Sequence, residues 1–252
     1  MRIRMAQALH NPMRRLAALG GLLCLVFSAG CHHKPKQVYA PPPPPVSSYH
    51  APRTPTAHAP SPPAPSHVDG HPVSTEVGLA SWYGPPYDKH PGANGEIYDQ
   101  NAMTAAHRTL PLGTIIRVTN QATGQSAVVK ITDRGPFVHG RVLDLSLAAA
   151  KATGVYRAGV AKVKIEVFSM PTTTEGKWCV QVGAFTDAND AIKLKNDLSR
   201  RYLTAKVIEF PGPTGHWVRV NTTQGGKAQA TEIADGIRPR EPGAEAYIVR
   251  LD

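Results

Sequence analysis

The rhythm of apolar and polar residues changes three times along this chain. Apolar residues run together from Leu16 to Phe27, become sparse from His32 to about Glu76, and then return as short alternating runs. Period-two runs bounded by turn residues predict strands at Leu79–Tyr83, Thr114–Asn120, Ser126–Asp133, Arg141–Leu145 and Ala161–Phe168. Asn120 to Gly124 reads as a hairpin-like loop. One helix is clear, with Ser146 as N-cap, Leu147 to Thr153 as its body and Gly154 as its stop. Short strands with one or two small helices in this span predict a compact β-barrel.

Beyond Gly176 the pattern changes again. Trp178–Phe185 is strand-like, and Asp187 caps a helix with the apolar stripe Ala191, Leu194, Leu198 and Tyr202. Ala205–Phe210 and His216–Asn221 read as strands around the Pro211–Gly215 turn. Ala228 to Ile237 is a second helix, and Ala246–Leu251 a closing strand. The order β-α-β-β-α-β is a ferredoxin-like split βαβ, mixing α and β. Both helices cover one sheet face, which leaves the other free for a ligand.

Composition sharpens the first two zones. Arg2, Arg4, Arg14 and Arg15 precede the Leu16–Phe27 run, which is too short for a comfortable membrane span. Residues 1–30 therefore read as a signal peptide. Cleavage there leaves two readings for Cys31: a lipidated N-terminus, or a residue beside an ordinary small-residue cleavage site. Residues 31–76 are rich in proline, with five in a row from Pro41 to Pro45. Such a segment buries no core and favours extended polyproline II. At ~3.1 Å per residue it reaches at most on the order of 140 Å. His50, His58, His67 and His71 are scattered through it without ligand spacing and read as solvated side chains, not a metal site.

Of the three cysteines, Cys24 leaves with the leader, and Cys31 and Cys179 form no disulfide framework. Cys179 reads as a small strand residue, not a nucleophile. The formal net charge is +10, but much of it sits in the leader and no later region is strongly basic. Export and this even spread argue against a nucleic-acid partner.

The stretch with most chemistry is Val129-Lys130-Ile131-Thr132-Asp133-Arg134-Gly135-Pro136-Phe137. Val129 and Ile131 share a strand face, Asp133 continues it to the rim, and Arg134-Gly135-Pro136 breaks the strand. If that face is the core, desolvation raises the Asp133 pKa and suits a general acid. The other reading is an aspartate that only ties down the turn.

Five blocks occur in order: Gly78-Leu79-Ala80-Ser81-Trp82-Tyr83-Gly84, Ala93-Asn94-Gly95-Glu96-Ile97-Tyr98-Asp99, Thr104-Ala105-Ala106-His107-Arg108-Thr109-Leu110-Pro111-Leu112-Gly113-Thr114, Asp133-Arg134-Gly135-Pro136-Phe137 and Asp144-Leu145-Ser146. Together they resemble the rare lipoprotein A family of septal-ring lytic transglycosylases. The C-terminal region resembles a sporulation-related repeat (SPOR) domain, and Ser28-Ala29-Gly30-Cys31 resembles a lipobox, with Ser28 departing from the usual aliphatic residue.

The resemblance implies a six-stranded double-psi β-barrel at 77–169 and a βαββαβ SPOR domain at 175–252. It implies endolytic cleavage of peptidoglycan strands lacking stem peptides, between N-acetylmuramic acid and N-acetylglucosamine, with a 1,6-anhydro product, during septal remodelling and daughter-cell separation. Asp133 corresponds to the catalytic acid/base. Glu96, Asp99 and His107 correspond to residues lining the active-site groove: Glu96 and Asp99 to hold Asp133 protonated by like charge or to stabilise an oxocarbenium-like centre, His107 to hydrogen-bond the acid or hold the sugar's N-acetyl group. The competing readings are a solvated loop for the two carboxylates and a satisfied core histidine for His107. Gln181, Trp217 and Arg219 correspond to the glycan-binding SPOR face, while Ala184 and Asn221 depart from the family pattern. Ordinary sheet surface is the competing reading of that face.

No cofactor or metal is implied. Implied partners are denuded glycan strands, the outer membrane through Cys31 (His32 being the sorting residue) and proteins of the division septum. Two rival functions stand beside the enzyme. One is an expansin-like wall binder that cleaves nothing; the other is a tethered scaffold with a degenerate groove.

Overall fold

The structure is a computed structural model that describes residues 68–171, 175–209 and 215–252. The expected leader, Cys31 and most of the proline-rich segment lie outside the described residues.

The first domain is a closed barrel of six strands: β1 (Ser74–Trp82), β2 (Thr104–His107), β3 (Ile115–Asn120), β4 (Ser126–Asp133), β5 (Arg141–Leu145) and β6 (Ala161–Ser169). Their order around the barrel is β1-β5-β2-β4-β3-β6. β1 pairs in parallel with β5, and β2 in parallel with β4, so the chain crosses the barrel twice between distant neighbours. Ile116, Val118, Val129, Ile131, Leu143, Leu145, Val163 and Ile165 fill the interior at zero exposure. Each such side chain contributes about 1.5–3 kcal/mol by leaving water.

Helix α1 (Leu147–Ala152) begins where expected, with the Ser146 Oγ accepting the Ala149 N–H at 3.1 Å. Gly154 ends it at φ +72°, a left-handed conformation that glycine adopts without strain. A short helix, α2 (Val155–Ala158), follows. β1 starts at Ser74, inside the stretch read as linker, because Ser74 to Gly78 pair with β6.

The second domain is a four-stranded antiparallel sheet, β10-β7-β9-β8, formed by β7 (Trp178–Phe185), β8 (Lys206–Glu209), β9 (His216–Asn221) and β10 (Glu245–Arg250). Helices α3 (Ala188–Ser199) and α4 (Gly226–Asp235) complete the β-α-β-β-α-β order. Asp187 caps α3 by accepting the Asn189 N–H at 2.8 Å. Val180, Val182, Val218 and Val220 meet Ala191, Leu198, Ala230 and Ile233 in one apolar layer.

The other sheet face is not free, which corrects the reading from pattern alone. Cys179, Trp217, Tyr247 and Val249 on that face join Phe137 of the barrel in a second apolar cluster. The Phe137 ring lies 5.4 Å from Trp217 and edge-on to Tyr247 at 5.5 Å, centroid to centroid. Gly183, at φ +153°, leaves the room Trp217 needs: a Cβ there would sit 2.7 Å from the indole. Both domains belong to one compact unit.

Candidate active site

Asp133 is the last residue of β4, and His107 the last of β2. These strands are parallel, so both residues lie at the same end of the barrel. The β4 alternation carries Val129 and Ile131 into the core and leaves Asp133 only 7 % exposed. Its Oδ1 accepts two backbone N–H bonds, from Arg134 at 2.7 Å and from Ala93 at 3.1 Å. Burial pushes its carboxyl up to about 7, against the pull of those two donors and of the Arg134 guanidinium. With Oδ1 occupied as an acceptor, the acid's proton belongs on Oδ2.

The loop over Asp133 is built by the Gly92–Ile97 turn. Gly95 N–H bonds to the Gly92 carbonyl, and Gly92 N–H to the Glu96 carbonyl. Glu96 Oε2 accepts from Asn94 Nδ2 at 2.8 Å, while Asn94 Oδ1 accepts the Glu96 N–H at 3.0 Å. This clamp holds Ala93 where its N–H meets Asp133. Glu96 is half-buried; Asp99 is exposed, and its carboxylate accepts the Asn101 N–H at 2.9 Å as a local turn cap.

His107 stands differently from expectation. Its Nδ1 accepts the Thr109 and Leu110 N–H groups at 3.1 and 3.0 Å. The neutral ring therefore carries its proton on Nε2 and donates to Glu76 at 3.1 Å. Burial holds the imidazole below its ordinary range, and the bond from His107 holds the Glu76 carboxylate below its own. Both ring nitrogens are committed to groups other than Asp133, so His107 orders the β2 end; it does not hydrogen-bond the acid.

The like-charge neighbour of Asp133 is Asp144, which pattern reading quoted as a motif but gave no role. Asp133 and Asp144 are both register partners of Ala106, one on each side of β2. Asp144 has no exposure, receives Arg141 Nη2 at 3.2 Å, and is pushed by burial up to about 6. Ala106, between the acids on β2, packs in a buried cluster with Tyr83, Tyr87 and Tyr98. Burial raises all three phenols, so they stay neutral. The signal for Asp144 lay in Arg141–Leu145, where it breaks an apolar run directly between two core leucines, Leu143 and Leu145.

Arg134 is fully buried. Its Nη1 donates to the His107 carbonyl at 3.0 Å and the Leu110 carbonyl at 2.7 Å, and its Nη2 to the Asp252 carbonyl. It thus joins the end of the acid's strand, the β2 end and Asp252, just beyond β10 of the second domain. Gln181, Trp217 and Arg219 do come together on one sheet face as read, but buried: 0, 2 and 4 % exposed.

Residues 75–165 match the family model described as lytic transglycolase, and residues 174–250 the SPOR domain model. Over 90 residues the chain is 57 % identical to the probable endolytic peptidoglycan transglycosylase RlpA of Synechocystis, covering 36 % of this chain and 28 % of that protein. Over 101 residues it is 52 % identical to the endolytic peptidoglycan transglycosylase RlpA of Vibrio cholerae, covering 40 % and 38 %. The matched stretch thus spans well under half of these curated relatives. The chain thus carries a closed six-stranded barrel that matches the lytic transglycolase model and is similar to RlpA proteins, followed by a region that matches the SPOR domain model.

Proposed function

We propose that this chain is an endolytic peptidoglycan lytic transglycosylase acting on glycan strands that lack stem peptides. The observation that carries the reading is one acid, Asp133, at the barrel's end with its pKa raised to about 7 by burial. At neutral pH much of it is protonated, the state a general acid needs.

Asp133 Oδ2 gives its proton to the glycosidic oxygen as the bond from the muramic anomeric carbon breaks. The sugar's own 6-hydroxyl then bonds to that carbon and returns its proton to the carboxylate. No water enters, and the acid is restored. One carboxyl serves both steps where hydrolases use two, and the intramolecular nucleophile gains from proximity. Glu96, at the loop above Asp133, is the second carboxylate placed to face developing positive charge. Asp99 and His107 fix the loop and the β2 end. Gln181, Trp217 and Arg219 form the glycan-gripping face of the SPOR domain. Cys31 carries the lipid, and the proline-rich segment tethers the enzyme to the outer membrane near the septum.

Mass spectrometry of products from amidase-treated peptidoglycan tests the reaction. Anhydro-terminated fragments are expected; reducing ends mean hydrolysis, and no fragments mean a wall binder. The pH profile gives a second check. Because the protonated acid is the active form, kcat/KM is expected to be flat below about pH 7 and to fall about tenfold per pH unit above it. A rate still rising at pH 8 removes Asp133 as the acid.

A further inference from the structure

We propose that the outer face of β7, β9 and β10 is a surface with two alternative occupants, the barrel end that carries Asp133 and a glycan strand. This rests on the glycan-gripping role assigned to that face under the proposed function.

The docked occupant is the barrel. Phe137, four residues after Asp133, inserts against Trp217 and Tyr247. Arg108 stacks over the Tyr247 ring at 5.7 Å. Backbone bonds run both ways: Arg250 N–H to the Arg108 carbonyl at 2.9 Å, and Leu112 N–H to the Asp252 carbonyl at 3.3 Å. His139 Nδ1 lies 2.7 Å from Glu245 Oε1 at the rim. Both barrel segments, 108–112 and 134–139, leave the end where β2 and β4 finish. A strand cannot reach Gln181, Trp217 and Arg219 while they are covered, and the covering segment 134–139 starts directly after Asp133.

The contact is also imperfect in a way that points to the second occupant. Gln181 Nε2, Arg219 Nε and Asn221 Oδ1 are buried with no hydrogen-bond partner among the described residues. The Arg219 Nη2 to Gln181 Oε1 bond is stretched to 3.5 Å. Buried polar atoms without partners cost free energy that the aromatic contacts must offset. A chain of neutral sugars offers what is missing: acetamido carbonyls and hydroxyls for the two donors, a hydroxyl proton for Asn221, and a pyranose face for Trp217. Exchange of the barrel for a strand therefore pairs these groups, uncovers the Asp133 end, and couples capture of the wall to access to the acid.

Hydrogen exchange on the full chain, in the Asp133→Asn background so that strands stay whole, tests the exchange directly. Adding denuded strands is expected to speed exchange at the Leu112 and Arg250 amides by about tenfold or more. Unchanged protection at both amides with strands bound, or no binding of strands at all, overturns the proposal. Tyr247→Ala, which keeps the helix-side core intact, is the second arm. It is expected to expose the same amides without ligand and to lower the apparent Kd for denuded strands by about tenfold, since more of the chain is competent to bind. Exposed amides with unchanged affinity also overturn it. A wild-type chain that yields no anhydro products rejects the reaction but leaves the exchange result standing.

Discussion

Replacing Asp133 by asparagine is expected to reduce release of anhydro-terminated fragments from denuded strands by about 10²–10⁴-fold, the range general acid–base catalysis contributes. Asparagine keeps the shape and keeps an oxygen for the Arg134 and Ala93 N–H bonds, so the Gly92–Ile97 loop stays in place. What goes is the transferable proton. Stability should not fall with activity. The folded-state pKa of Asp133 is raised to about 7, well above that of the unfolded chain. Between about pH 4 and 7 the unfolded chain ionises this group while the folded barrel holds it neutral, so its ionisation draws stability down across that window. The asparagine variant lacks this drain. It should melt level with wild type at pH 4 and no lower at pH 8. Calorimetry beside product mass spectrometry separates the cases: retained turnover rejects the acid, and a barrel that melts far lower at pH 8 rejects the account of its burial.

Much of this architecture was legible because the barrel's strands alternate cleanly. β4 and β5 fall on the residues where period two placed them, and so do β7 and β9. β2 was missed for a physical reason. Thr104-Ala105-Ala106-His107 is short, and alanine is a weak strand former. Its place is fixed by neighbours on both sides, and a small residue is needed where Ala106 sits between the two acids. The rim position of Asp133 followed from its strand face, but the identity of its charged neighbour did not. Asp144 lies on β5, across β2, a relation set by barrel closure that no local spacing carries. His107 likewise looked like a partner for the acid because the resemblance puts both in one groove. Its actual bonds go to Glu76 and to its own following turn, the first of these from a segment that reads as linker. The covered face of the second domain was hidden for the same reason, since Phe137 and Tyr247 are far apart in the chain and complementary only once both domains have folded.

Arg134→Met is expected to cost about 3–5 kcal/mol of stability, the range for stripping one member from a buried charged network. Arg134 is as buried as any core residue, yet it replaces no apolar side chain; its guanidinium fork spans carbonyls of His107, Leu110 and Asp252. Methionine fills comparable space and donates to none of them, leaving three carbonyls that folding has withdrawn from water. For a domain of this size the loss should lower the melting temperature by roughly 10 °C or more. Lysine should recover only part of it, because one ammonium cannot reproduce a planar fork aimed in two directions. The same variant has a signature that lost packing alone does not give. The Arg134 charge pulls the Asp133 carboxyl down against the effect of burial. Without that cation the carboxylate form is less favourable, the pKa rises above about 7, and the falling limb of the pH–rate profile should move to higher pH in whatever activity remains. A melting temperature within a few degrees of wild type, or a limb that stays put, means that the Arg134 network neither holds the barrel end together nor sets the acid's proton affinity.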